Sequence, residues 1–268
     1  LLAAADFSQF SIDLEMHVAL ITAEQERNGF KLDVEHANKC WLDITKRMRQ
    51  IEDEMQELFP PIVTARVSEK TGKPLKDHVE HFNPGSRQQV AKRLTTLGAV
   101  WTELTETGLP VVNEKTLEKQ TIPEAAIISE YFLLQKRAGL FDSWLKAVKE
   151  DGRVHGRVNT IGAITGRMTH SSPNMAQVPA VRAPWGKESR SSFIVEEGNV
   201  LVGCDASGLE LRMLAHYVND PEYTKQILEG DIHTYNQNLA GLETRDQAKT
   251  FCYAMLYGAG DAKIGSIT

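Results

Sequence analysis

Asp205 follows the apolar run Val200-Leu201-Val202-Gly203-Cys204, and further along the chain Arg245, Lys249, Tyr253 and Tyr257 recur at four-residue intervals. A carboxylate leaving a strand can hold a divalent metal, with the Ala206 carbonyl as a further oxygen. On a helix, residues four apart share a slowly drifting face. Two cations near a helix N-terminus, where the backbone dipole is also positive, make an anion site suited to a triphosphate. Two rings further along offer stacking surface to a sugar and a base. Thr244 is a ready N-cap for that helix, and Gly258-Ala259-Gly260 lets the chain turn closely after it. The chemistry these types and spacings point to is the handling of metal-bound nucleotides.

Each feature also has a plainer reading. Asp205 serves equally well as a cap for the helix expected from Leu209. Glu210 can pair with Arg212, and the ridge from Arg245 can be the polar face of an ordinary amphipathic helix. Thr165-Gly166-Arg167, with Asn174 and Gln177 after it, offers donors to minor-groove acceptors that all base pairs share. As a triplet, Thr-Gly-Arg is common and says little alone.

The elements that must position these residues fall into two styles. Leu14, Val18 and Ile21 predict a helix over Leu14–Arg27, ended by Asn28-Gly29. Asp33 caps a longer helix to Phe59, with an apolar stripe of Trp41, Ile44, Met48, Ile51, Met55 and Leu58, stopped by Pro60-Pro61. The polar stretch from Arg66 to His81 reads as a loop or an exposed hairpin, and its basic piece from Lys70 to Lys76 either touches duplex DNA or is a plain loop. Asn83-Pro84-Gly85-Ser86 leads into a helix from Arg87 to Leu97. Val111-Val112-Asn113 is a short extended piece. Ala125–Val148 is a third long helix, interrupted near Gly139. After Gly152 the pattern changes: 153–158 alternates as a strand, 160–190 is rich in Gly, Pro, Thr and Ser, and Phe193-Ile194 and Val200–Cys204 are β-rich. Helices then start at Leu209, Asp220-Pro221, Ile232 and Arg245. The class is α+β.

The chain has 268 residues, 41% hydrophobic and 25% charged, ordinary for a globular protein that can bury a substantial core. No apolar run approaches the ~20 residues that span a bilayer. Cys40, Cys204 and Cys252 are too widely spaced for a zinc site or a disulfide framework, so a reducing, cytoplasmic setting is expected. A net charge of −6 means that any DNA surface must be local. One such stretch carries Arg153, Arg157, Arg167, Arg182, Lys187 and Arg190 against Asp151 and Glu188. The chain opens on Leu and closes at Thr268, and is expected to be a piece of something longer.

Taken together, these residues resemble family A (DNA polymerase I-type) DNA polymerases, and among them the replicative enzymes of T-odd bacteriophages. Asp205-Ala206-Ser207-Gly208-Leu209-Glu210-Leu211-Arg212 matches the family's first polymerase motif. Arg245 through Thr250, continued by Tyr257-Gly258-Ala259-Gly260, matches its fingers-helix motif. Thr165-Gly166-Arg167 with Asn174 and Gln177 looks like its minor-groove segment, and Gly230-Asp231-Ile232-His233-Thr234 is also typical.

The resemblance implies a mostly helical thumb over residues 1–150, part of a palm over 151–215, and the start of the fingers over 216–268. It implies two Mg²⁺ in the complete enzyme, ligated by Asp205 and the Ala206 carbonyl. Glu210 would exclude a ribose 2′-hydroxyl. His233, Arg245 and Lys249 would contact the triphosphate of a dNTP, and Arg245 and Lys249 count with Asp205 as catalytic. Tyr253 would face the incoming sugar, a Tyr there going with acceptance of dideoxynucleotides. Tyr257 would sit by the nascent base pair and help hold Glu210. Arg167, Asn174 and Gln177 would contact primer–template DNA.

The sequence departs from the family pattern as well. No His-Asp-Glu occurs in it, so the second metal carboxylate and the exonuclease domain are expected elsewhere, in the same protein or on a second polymerase chain. Only Pro60 to Phe82 separates the thumb helices, so thioredoxin dependence is not expected. Two rival readings stand beside DNA synthesis: a non-catalytic DNA-binding or assembly half of a split polymerase, and a single-subunit RNA polymerase, against which Glu210 argues.

Overall fold

The structure is a computed structural model that describes residues 8–268, and it divides into two compact units, one ending at Leu201 and one beginning at Val202. The first unit starts with α1 (Gln9–Asn28), whose N-cap Ser8 accepts from the Ser11 amide. Gly29 ends it in the left-handed region at φ 61°, where a Cβ would lie 2.8 Å from the Val154 carbonyl oxygen, so only glycine fits. Helical spacing marks this helix without marking a core face: Leu14 and Ile21 are 48% and 64% exposed, and Thr22 is its buried residue.

After β1 (Phe30–Leu32), Asp33 accepts from the His36 amide and opens α2 (Val34–Leu58), as the sequence predicts. Along its predicted stripe Ile44, Ile51 and Met55 are fully buried, Trp41 and Met48 partly so, and Leu58 is exposed at the helix end. Of the two forms expected for the following polar stretch, the hairpin is found: β2 (Ile62–Val67) pairs antiparallel with β3 (Pro74–Glu80). Ser86 then caps α3 (Arg87–Thr96). The short α4 (Glu114–Glu118) is not foreseen; Asn113, read as extended, is its N-cap, and it exchanges hydrogen bonds with Thr116 in a capping box.

The long α5 (Pro123–Ala147) packs along α2. Two side-chain contacts join them. Arg47 donates from Nε and Nη2 to both oxygens of Glu130 at 2.8 and 2.9 Å, and the Tyr131 hydroxyl donates to Glu52 at 2.7 Å. The interruption expected at Gly139 is absent. A single helical glycine costs about 1 kcal/mol, and burying Phe141 and Trp144 just beyond it outweighs that.

The strand expected over 153–158 is two strands, β4 (Arg153–Val154) and β5 (Arg157–Asn159). Between them Gly156 passes so close to the next segment that a Cβ would sit 2.7 Å from Met175 Cγ. β5 forms a hairpin with β6 (Thr169–Ser171), and a single 3-10 turn, Met175–Gln177, follows. After α6 (Gly186–Ser191), β7 (Phe193–Ile194) completes a three-stranded antiparallel sheet with β1 at its centre, flanked by β4 and β7.

The second unit is helical: α7 (Leu209–Val218), α8 (Pro221–Glu229), α9 (Ile232–Ala240), α10 (Arg245–Leu256) and α11 (Asp261–Gly265). Val200–Cys204, expected as strand, forms none, and Val200 and Val202 are 78% and 87% exposed. A strand needs a ladder partner for its amides, and the described residues offer none there. Helices with short antiparallel strands give the α+β class that the sequence predicts. Among the described residues no helix is long and apolar enough to cross a membrane.

Candidate nucleotide site and DNA-contact segment

In the second unit α9 packs against α10, and both begin at the rim of a cleft of about 420 Å³. Thr244 caps α10 by accepting from the Gln247 amide, as expected, while Asp231 caps α9 by accepting from the amides of His233 and Thr234. The two cap positions set one helix end beside the other. His233 from α9 and Arg245, Lys249 and Tyr253 from α10 all line the cleft, together with Arg212 from α7.

Arg245 is held by a group that sequence reasoning missed. Its Nε donates to Asp231 Oδ2 at 2.7 Å and its Nη2 to Oδ1 at 3.1 Å. This grip takes one edge of the guanidinium and leaves Nη1 without a partner among the described residues. The Arg245 guanidinium, helped by the Thr234 hydroxyl and the two amides, holds the Asp231 carboxyl far below the usual carboxylate range. The signal was available: an Asp directly before an apolar helix start is a cap. Its bond across to the next helix was not readable.

Burial, then the neighbouring cations Arg245 and Lys249, push the His233 imidazole below its ordinary value, while Asp231 opposes them. Its Nδ1 is buried without a hydrogen-bond partner among the described residues. Tyr253 is half-buried with its ring 6.2 Å from that of His233, and burial followed by the nearby Glu210 pushes its hydroxyl up. The Tyr257 hydroxyl, at the C-cap of α10, donates to Glu210 on α7 at 3.2 Å.

Asp205 and Ala206 lie in the exposed segment just before Ser207, the first residue lining the cleft. Asp205 does not cap α7: the N-cap is Gly208, in the left-handed region and without a side-chain bond. No group of three or more His, Cys, Asp or Glu poised to hold a metal occurs among the described residues. Asp205 and the Ala206 carbonyl, one carboxylate and one carbonyl oxygen, are thus not joined by other carboxylates into a closed cation site among the described residues.

The remaining predicted residues belong to the first unit. Arg167 sits in the tight turn between β5 and β6, closed by the Ala163 amide on the Arg167 carbonyl at 3.0 Å. Asn174 caps the 3-10 turn through its side-chain oxygen, and Gln177 ends that turn exposed. The charge count around them overstates one surface. Arg153 donates to the Asn28 carbonyl and to Glu196, and Arg190 to the Pro179 carbonyl, so both hold the fold together.

The sequence model for DNA polymerase family A matches residues 49–267. This chain belongs to DNA polymerase family A. Among relatives of the family A chain, the DNA-directed DNA polymerase of Escherichia phage T7 is 38% identical, over 96% of this chain and 47% of its own length. The thermostable DNA polymerase I of Thermus thermophilus is 31% identical over 92% of this chain and 29% of its own. The chain thus spans about half the length of the phage relatives it matches. The alignment to the T7 enzyme runs over 328 positions, more than the 268 residues here, so that enzyme carries segments with no counterpart in this chain. A solved structure, the POL domain of Pol1 from M. smegmatis in complex with DNA primer-template and dNTP, superposes with a TM-score of 0.75 at 21% identity. It covers 94% of this family A chain and 43% of the solved chain, and shows the shared fold.

Proposed function

We propose that this chain provides the dNTP-selecting and primer-gripping part of a DNA-templated DNA polymerase. In the complete enzyme the primer 3′-oxygen bonds to the α-phosphorus of a dNTP as the bond to pyrophosphate breaks. The observation that carries this reading is the shared cleft: His233, Arg245, Lys249 and Tyr253 line one pocket, and Glu210 is tied to Tyr257 beside them. Arg245 Nη1, Lys249 and the His233 ring bind the triphosphate, and the α10 N-terminus adds its positive end. Tyr253 faces the sugar. Glu210, steadied by Tyr257, occupies the place of a ribose 2′-hydroxyl and so selects dNTP over NTP. Arg167, Asn174 and Gln177 contact the primer–template minor groove. Residues 1–150 act as thumb, 151–215 as part of the palm and 216–268 as the beginning of the fingers.

Magnesium, when bound, would neutralise charge on the triphosphate; Asp205 and the Ala206 carbonyl are its ligands from this chain, and a second carboxylate has to come from outside these residues. That no group of three or more His, Cys, Asp or Glu gathers for a metal among the described residues also favours a second reading, in which the chain alone is the non-catalytic, DNA-binding half of an assembly.

The test has two arms. The 268-residue chain should bind dGTP more tightly than GTP, and Glu210→Ala should erase the difference. Primer extension by the chain alone should fail, and a complement carrying His-Asp-Glu should restore it. Equal binding of dGTP and GTP by the unaltered chain would remove the selection argument, and robust extension without a complement would remove the split-site argument.

A further inference from the structure

One cation of the nucleotide cleft has no part in the triphosphate contacts assigned above. Arg212, in the first turn of α7, lines the cleft beside Ser207 and Gly208, in the same lining as Arg245 and Lys249. Leu211 next to it is buried, which fixes that turn of the helix in its unit. Arg212 itself is exposed.

Its Nε donates to the Ser207 carbonyl oxygen at 2.8 Å. That bond ties down the start of α7, where the Gly208 cap has no side chain to offer. Neither Nη1 nor Nη2 of Arg212 has a partner among the described residues. Arg245 is held in a similar way: Asp231 takes its Nε and Nη2 and leaves Nη1. A guanidinium is a rigid planar fork, so fixing one edge aims the rest. Arg212, Arg245 and Lys249 stand against Asp231 as the one carboxylate among the residues lining the cleft, and Asp231 is already engaged by Arg245. The chain as a whole carries a net charge of −6, so this positive excess is local. It suits an anion with several phosphates better than a neutral ligand.

We infer that Arg212 is a phosphate-binding residue of this cleft, oriented by the Ser207 carbonyl. The inference rests on the dNTP reading of the cleft and deepens it. Ser207 belongs to the same short segment as Asp205 and Ala206, so a phosphate held by Arg212 is brought to the segment that carries the proposed metal ligands. A lysine keeps the charge, but its single nitrogen cannot hold the carbonyl and a phosphate with the same fixed geometry.

The test is calorimetric binding of dGTP and of inorganic triphosphate, without added metal, to the 268-residue chain and to three variants. These are Arg212→Gln, Arg212→Lys and the control Lys225→Gln, which removes an exposed cation of the same unit that does not line the cleft. Arg212→Gln should weaken both ligands about five- to tenfold, Arg212→Lys should recover part of that loss, and the control should match the unaltered chain. Unchanged binding by Arg212→Gln would overturn the assignment and leave the rest of the cleft standing. An equal loss in the control would overturn it by assigning the effect to net charge. A loss confined to dGTP, or a Lys variant no better than the Gln variant, would overturn it by reducing Arg212 to a support for the start of α7. No binding of dGTP by the unaltered chain would instead remove the dNTP reading beneath the proposal, and the proposal with it.

Discussion

At the scale of single residues, the candidate site depends on Asp231, which performs two jobs that substitutions can separate. It caps α9, and it orients Arg245 by holding one edge of the guanidinium so that the other edge stays available. Asn retains the cap but not the charge, whereas Ala retains neither. Asp231→Asn should therefore leave Tm almost unchanged while weakening dGTP binding several-fold, and Asp231→Ala should lower both. In an Arg245→Ala background the Asn change should have no further effect on dGTP. A persisting effect there would mean that Asp231 does not work through Arg245. His233 gives a second residue-scale expectation. An unfolded His takes its proton near pH 6.5, while burial and then Arg245 and Lys249 delay that in the fold. As pH falls below 6.5 the unfolded state binds more protons, so stability is lost in that window. Melting at pH 7.5 and at pH 5.8 should show a larger fall for the unaltered protein than for His233→Gln, and equal falls would remove His233 from the explanation. Most of the site was legible because α10 carries it on one face at regular spacing. Asp231 was not, because a hydrogen bond between two helix ends leaves no periodic trace.

At the scale of elements, what could be read were features encoded locally. Asp33, Ser86 and Thr244 cap the helices that their types suggest, and the stripe of α2 lies on its buried face. What could not be read depends on contacts between segments distant in sequence. Among the described residues Val200–Cys204 has strand composition but no partner and the apolar spacing of α1 has no cover, while β4 and β5 separate because Gly156 must pass Met175. Gly139 shows the opposite case, where a strong local breaker is overruled by packing on both sides. Its surroundings are open, with nothing within 4 Å of an added Cβ, and it lies inside a continuous helix. Gly139→Ala should therefore stabilise the protein by about 0.5 to 1 kcal/mol in urea unfolding, the ordinary helical advantage of Ala over Gly. A destabilised variant would show that the helix uses the glycine as a hinge.

At the scale of the whole molecule, two facts bear on how the chain behaves: a net charge of −6 and a division into two compact units at Leu201/Val202. The negative total means that nucleic-acid contact must be confined to particular segments, so such binding should weaken steeply with salt. The division has a consequence independent of any ligand. Around it, 195–208 carries no helix or strand, and its residues from Glu196 to Gly208 are exposed, with Glu196 and Glu197 as the acidic ones before the boundary. Proteases cut exposed segments whose backbone can leave its hydrogen bonds cheaply, and here few such bonds have to be broken. Brief digestion with a glutamate-specific protease should therefore cleave first at Glu196 or Glu197 and release the helical unit from α7 to α11 as one fragment. The many glutamates of α2, on a helix whose other face is core, should be cut only later. An initial cut within α2 would mean that the boundary segment is held by contacts the two-unit division does not reflect, whereas slower cleavage after Glu196 on adding primer–template DNA would tie that segment to the nucleic acid.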